Sequence, residues 1–142
     1  MTDVFIASST EARAYAEMAA RAVAGEGAAP HLWWSERAFP AGLTLIESIW
    51  QLMEEVDAAL IIATPDDLVM RRGSASYAAN SNVVLEYGLF SGRLGRLNVA
   101  VVEVGQVTLP SDMIGVKSIR IRPRGDHEDP ETYLATELRP KI

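Results

Sequence analysis

Three short, almost uninterrupted apolar runs, at residues 4–7, 58–63 and 98–104, constrain this chain more than any other feature of its sequence. A strand covered on both faces must be apolar along its whole length. Such strands alternating with helical stretches imply right-handed crossover units and a parallel sheet. The chain is therefore expected to be one α/β domain over residues 1–142, with about five parallel strands flanked by helices on both faces.

The remaining elements follow from local signals. Residues 4–7 run into Ser8-Ser9-Thr10, and Ser8 with Glu11 has capping-box spacing, which predicts a helix through the alanine-rich stretch to Gly25. Pro30 opens a second strand through residues 31–34, followed by a loop over 35–42 that carries Pro40 and Gly42. Leu43, Ile46, Ile49, Trp50, Met53 and Val56 recur at helical spacing. Trp33, Trp34 and Trp50 are expected in the core. Residues 66–80, small and polar around Gly73, are expected to form a long mobile loop. Val83-Val84-Leu85 would suit the start of a strand, but the length of 82–94 and the glycines at 92 and 95 predict a helix. A fourth strand over 98–104, a fifth over 116–121 and a closing helix over 129–138 complete the pattern.

Parallel sheets bind ligands at the carboxyl ends of their strands. Here those ends carry Ser8-Ser9-Thr10, the 35–42 loop, residues 64–67 and Glu103. Glu86 is the oddest residue nearby, a carboxylate inside the apolar helix segment 83–90. Asn82, four residues earlier, shares its helical face. Glu86 is either functional or a structural partner of an arginine such as Arg93. Ser8 and Ser9 would suit a phosphate at a helix start, although simple capping explains them as well. Phe39, in a cleft loop before Pro40, would suit stacking on a flat ring.

Several classes are disfavoured. There is neither a G-x-G-x-x-G fingerprint nor a P-loop. The two histidines, His31 and His127, lack ligand spacing, so no metal site is expected. The chain has no cysteine, no apolar run near the roughly 20 residues of a membrane span, and no basic leader. A cytoplasmic domain away from membranes is expected. A net charge of -6 opposes direct binding to nucleic acid. The arginine groups 71/72, 93/96 and 120/122/124 would suit one or two phosphates of a small ligand, or simply a solvated surface.

The ordered set of Val4 to Glu11, Phe39-Pro40-Ala41-Gly42, Thr64-Pro65-Asp66-Asp67, Asn82-Val83-Val84-Leu85-Glu86-Tyr87-Gly88-Leu89-Phe90 with Gly92-Arg93-Leu94-Gly95, and Leu109-Pro110-Ser111-Asp112 resembles the TIR-like, nucleotide-binding domains of bacterial anti-phage effectors, such as TIR-STING and TIR-SAVED proteins. The resemblance spans residues 3–121. It implies a TIR/flavodoxin-like fold and an NAD⁺ nucleosidase with NAD⁺ as substrate and no cofactor. In this reading Glu86 is the catalytic glutamate of N-x-x-x-E-x-G, and Ser8, Ser9, Phe39 and Asn82 meet the substrate. It also implies an assembly loop with Arg37, Phe39, Pro40 and Gly42, a homo-oligomer or filament, and a fused or associated cyclic-nucleotide sensor, so that residues 1–142 would be the N-terminal part of a longer effector. The alternatives are a TIR assembly module without chemistry and a nucleoside deoxyribosyltransferase-like enzyme.

Overall fold

The computed structural model describes residues 1–34, 45–110, 113 and 117–142, with the side chain of residue 45 excepted. The 35–42 loop, with Arg37, Phe39, Pro40 and Gly42, therefore lies outside the described residues, as do Ser111 and Asp112. The apolar runs form a five-stranded parallel sheet as expected. Its strands are β1 (Asp3–Ala7), β2 (Ala29–Leu32), β3 (Ala58–Ala63), β6 (Val99–Val104) and β7 (Ser118–Ile121), in the order β2-β1-β3-β6-β7. Leaving out a separate hairpin, this is the 2-1-3-4-5 order of flavodoxin-like sheets, whose switch point lies between β1 and β3.

The alternation of side chains explains why these strands are apolar on both faces. Val4, Ile6, Leu60, Ile62, Ala100 and Val102 join α1 (Arg13–Gly25) and the C-terminal Tyr133, Leu134 and Leu138 in one cluster. Phe5, Ala7, Ala59, Ile61, Ala63 and Val101 join α2 (Leu45–Glu55) and α3 (Ser81–Leu94) in the other. Phe5 stacks on the fully buried Phe90, with ring centroids 4.7 Å apart, and this stack clamps α3 to β1. Truncating such a ring to alanine costs about 3–5 kcal/mol.

Three expectations require correction. Residues 66–80 are not a loop: β4 (Asp67–Arg71) and β5 (Ser74–Ala78) pair as an antiparallel hairpin, with Leu68 opposite Tyr77 and Met70 opposite Ala75. Its turn, Arg72-Gly73, has φ of 52° and 80°, the two positive values a tight I′ turn needs. The first helix starts later than the Ser8/Glu11 spacing implied. It begins at Arg13 and has no side-chain cap at Ala12, while Ser9 Oγ accepts the Ala12 N–H at 3.3 Å. Trp50 is not a core residue: it is 60 % exposed and Ile46 is 50 % exposed, because α2 buries the stripe Ile49, Leu52 and Met53 instead, with Val56 just beyond its end. The closing helix falls where it was expected: Asp129 caps α4 (Pro130–Tyr133), and a π-helical turn, Leu134–Leu138, continues it.

Trp33 and Trp34 follow β2 and are partly buried. They point to opposite faces, Trp33 to the α2/α3 cluster and Trp34 to the α1 cluster, where the Arg13 guanidinium lies 4.3 Å from the Trp34 ring centroid. No helix among the described residues is long and apolar enough to cross a membrane.

Candidate functional site at the carboxyl edge of the sheet

Ser8 and Ser9 leave β1 at the switch point, and both are buried. The Ser8 hydroxyl donates to the Ser9 carbonyl at 2.9 Å and accepts from the Trp33 indole at 2.9 Å. Ser9 Oγ lies 3.5 Å from Thr64 Oγ1 at the end of β3, and Thr64 donates to Asp66 Oδ2 at 2.7 Å. Thr64 gives its proton to Asp66, so Ser9 donates to Thr64 while accepting from Ala12. Both serine hydroxyls are thus committed within the chain. They tie the β1 and β3 ends into one rigid edge. Residues 64–67 were expected at this edge from their position at a strand end, but Trp33 was expected only in the core, and nothing in its sequence position signalled its bond to Ser8.

The helix α3 starts at the same edge, since it must return from the end of β3 to the start of β6. Asn80 caps it by accepting the Asn82 N–H at 2.8 Å. Asn82 itself is exposed, and among the described residues its side chain makes no hydrogen bond to Glu86. Glu86 lies one turn further, about 7 Å along the axis from Ser81. Its neighbours Val83, Tyr87 and Phe90 are buried. Glu86 itself is partly buried, but its Oε2 is fully shielded and, among the described residues, has no hydrogen-bond partner. Apart from Ser91 Oγ it is the one such side-chain atom among those residues. Burial raises the Glu86 pKa to about 7. Among the described residues Glu86 has no ion pair, so the pairing with Arg93 does not form.

A carboxylate in this state is poorly solvated and uncompensated. It gains most from a cation brought next to it, or from positive charge that develops beside it. No three histidine, aspartate or glutamate side chains come together among the described residues to hold a metal. His31 instead bonds Asp3 through Nε2 at 2.7 Å, far from any ligand set.

A cavity of about 920 Å³ opens farther along the same edge, between the hairpin and the ends of β6 and β7. Pro65, Tyr77, Glu103, Gln106, Thr108 and Arg120 are among its lining residues, and Glu86 is not. The loop after β6 holds the hairpin over it. Thr108 N–H donates to the Tyr77 carbonyl at 2.9 Å, and Ala79 N–H donates to the Thr108 carbonyl at 3.3 Å. Gly105 starts this loop at φ 71°, and a β-carbon there would meet Pro123 Cγ at 3.2 Å.

Residues 3–122 match the family model described as CAP12/Pycsar effector protein, TIR domain. The Pycsar effector protein PaPycTIR of Pseudomonas aeruginosa is 38 % identical over 91 residues, which cover 63 % of this chain and 30 % of that protein. XpPycTIR of Xanthomonas perforans is 33 % identical over 137 residues, covering 93 % of this chain and 44 % of that protein. The CD-NTase-associated protein 12 of Flavobacterium daejeonense is 30 % identical over 83 residues, covering 58 % and 27 %. The chain therefore spans less than half the length of these relatives.

Proposed function

The chain belongs to the family of CAP12/Pycsar effector TIR domains, and from that premise we propose that it cleaves the nicotinamide–ribose bond of NAD⁺ as an effector of anti-phage defence. The observation that carries this reading is the shielded Glu86 Oε2, a charge with no partner where a cationic transition state would supply one. In the proposed reaction the bond between ribose C1′ and the nicotinamide nitrogen breaks, and its electron pair goes to the pyridinium, which leaves as a neutral ring. That leaving group needs no general acid, so one carboxylate suffices. Glu86 stabilises the oxocarbenium-like ribose, to which water adds at C1′, or it adds to C1′ as a nucleophile and water then displaces it, the C1′–carboxylate bond breaking to restore ionised Glu86. In both cases the proton of the water passes to solvent.

Asn82, exposed one turn above Glu86, is proposed to meet the substrate. The Ser8/Ser9 turn is proposed to shape the floor beneath it, with Phe39 from the assembly loop covering the ring. Activation is proposed to come from clustering of copies through a fused or associated cyclic-nucleotide sensor. The name of one relative, a CD-NTase-associated protein, supports this arrangement. A site completed by a neighbouring copy is sparse in dilute solution and abundant when copies are tethered.

The test is nicotinamide release from NAD⁺ by this chain, dilute and fused to an oligomerising partner. Low turnover when dilute and high turnover when clustered is expected. NAD⁺ left intact by the clustered protein refutes the enzyme and leaves an assembly module. Deoxyribose transfer between bases, with NAD⁺ intact, would favour the transferase instead.

A further inference from the structure

Of the three arginines at 120, 122 and 124, two are occupied. Arg122 forms a bidentate pair with Glu128, at 2.7 Å to each carboxylate oxygen, and Arg124 donates to the Glu128 carbonyl at 2.8 Å. Arg120 differs. It lines the 920 Å³ cavity, its side chain is 83 % exposed, and it is held only at Nε, 3.4 Å from Glu103 Oε2. Glu103 is largely buried and is itself fixed by the Ser118 hydroxyl. Among the described residues both Nη groups of Arg120 have no partner. A guanidinium anchored at Nε with its outer fork open is oriented for bidentate contact with a phosphate.

Tyr77 lines the same cavity from β5 and is 57 % exposed, an aromatic surface that the fold leaves uncovered. The hydrogen bonds of Tyr77 and Ala79 with Thr108 hold the backbone that carries this ring against the β6 loop. Flat rings stack on such a platform with little regard for sequence or substituent. Gln106 and Thr108 add polar side chains to the wall. The volume falls within the roughly 300–1,000 Å³ range of small-molecule sites and leaves room for more than a single ring. The cavity begins at Pro65, one residue from the Thr64 that bonds Ser9. From the end of β1 to the end of β6 is two strand spacings, roughly 10 Å. An extended dinucleotide with its reacting ribose near the switch point would reach it.

We propose that the hairpin cavity holds the adenylate end of the dinucleotide, with the base against Tyr77 and the phosphate in the fork of Arg120. This rests on the NAD⁺ reading, but its test does not depend on turnover. AMP binding to the 142-residue chain would be measured by calorimetry for the parent, Tyr77→Ala and Arg120→Ala, both changes at exposed side chains that leave the core intact. Each variant is expected to weaken AMP roughly tenfold. Adenosine, lacking the phosphate, should respond to Tyr77→Ala and not to Arg120→Ala. In the Glu86→Gln background, NAD⁺ should displace AMP. Unchanged AMP binding in both variants, no AMP binding by the parent, or AMP that NAD⁺ does not displace would each overturn the proposal. A chain that binds AMP and NAD⁺ in this way but never releases nicotinamide would refute the catalytic reading and leave the cavity assignment standing.

Discussion

Two glutamates in this chain are treated in opposite ways. Glu128, in the C-terminal segment, sits in the fork of Arg122 and accepts the Gly125 N–H, and its pKa falls to about 2. Around it Tyr133 donates to the Arg122 carbonyl at 2.6 Å, the Arg124 N–H donates to Tyr15 Oη at 2.9 Å, and Lys141 pairs with Glu137. Arg122, Glu128, Glu137 and Lys141 answer one another there, and the segment is clamped onto α1. Glu86 on α3 has no such partner, and its pKa moves up to about 7. A carboxylate that serves the fold is surrounded with donors. One left bare in an apolar wall works against the fold, a cost that the proposed catalytic role would explain.

The largest expected effect separates the two glutamates in activity. Glu86→Gln should lower nicotinamide release by a hundredfold or more, read as product formed per protomer, whereas Glu128→Gln, whose partners Arg122 and Gly125 take no part in the proposed reaction, should leave turnover per folded protomer unchanged.

The same pair should differ in the sign of their stability effects. Folded Glu86 holds its proton up to about pH 7 while the unfolded side chain loses it near 4.5, so between those values the folded state binds more protons and stability falls as pH rises. Glu86→Gln removes that penalty. Its unfolding free energy should exceed the parent's by up to ~3 kcal/mol above pH 7, and the gain should vanish near pH 4.5. Denaturant melts at pH 4.5, 6 and 8 would read this directly. Equal stability at all three would mean that Glu86 has a compensating partner.

Ser9→Ala removes the acceptor for the Ala12 N–H and should cost about 1 kcal/mol with modest loss of activity. Glu128→Gln should give the smallest effect, and of opposite sign to Glu86→Gln. Its contribution is present above the unfolded pKa near 4.5 and fades as pH drops toward 2, so the variant should melt slightly earlier at neutral pH and match the parent near pH 2. A thermal melt at each pH suffices.

The sheet was legible because buried parallel strands must be apolar throughout, as residues 58–63 and 98–104 are. The hairpin was not, because its apolar residues Leu68, Met70 and Tyr77 face solvent and β5 is mostly serine and alanine. The Arg72-Gly73 turn was its only strong signal. Trp50 was misplaced because Ile46 and Trp50 form a helical stripe beside the buried one of Ile49, Leu52 and Met53, and spacing alone cannot choose between adjacent stripes. Glu86 stood out because a charge amid Val83, Tyr87 and Phe90 breaks the apolar pattern. The Ser9–Thr64–Asp66 chain joins residues 55 positions apart and needed the β1–β3 register to become visible.

The most direct test of the central claim is the pH profile of NAD⁺ cleavage by the clustered chain, run beside Glu86→Gln with folding verified at each point. If ionised Glu86 stabilises the ribosyl cation, kcat/KM of the parent rises through a single step near pH 7 and levels off above it, and the glutamine variant stays at least a hundredfold lower throughout. A folded Glu86→Gln protein that cleaves NAD⁺ at a rate close to the parent's would contradict the account.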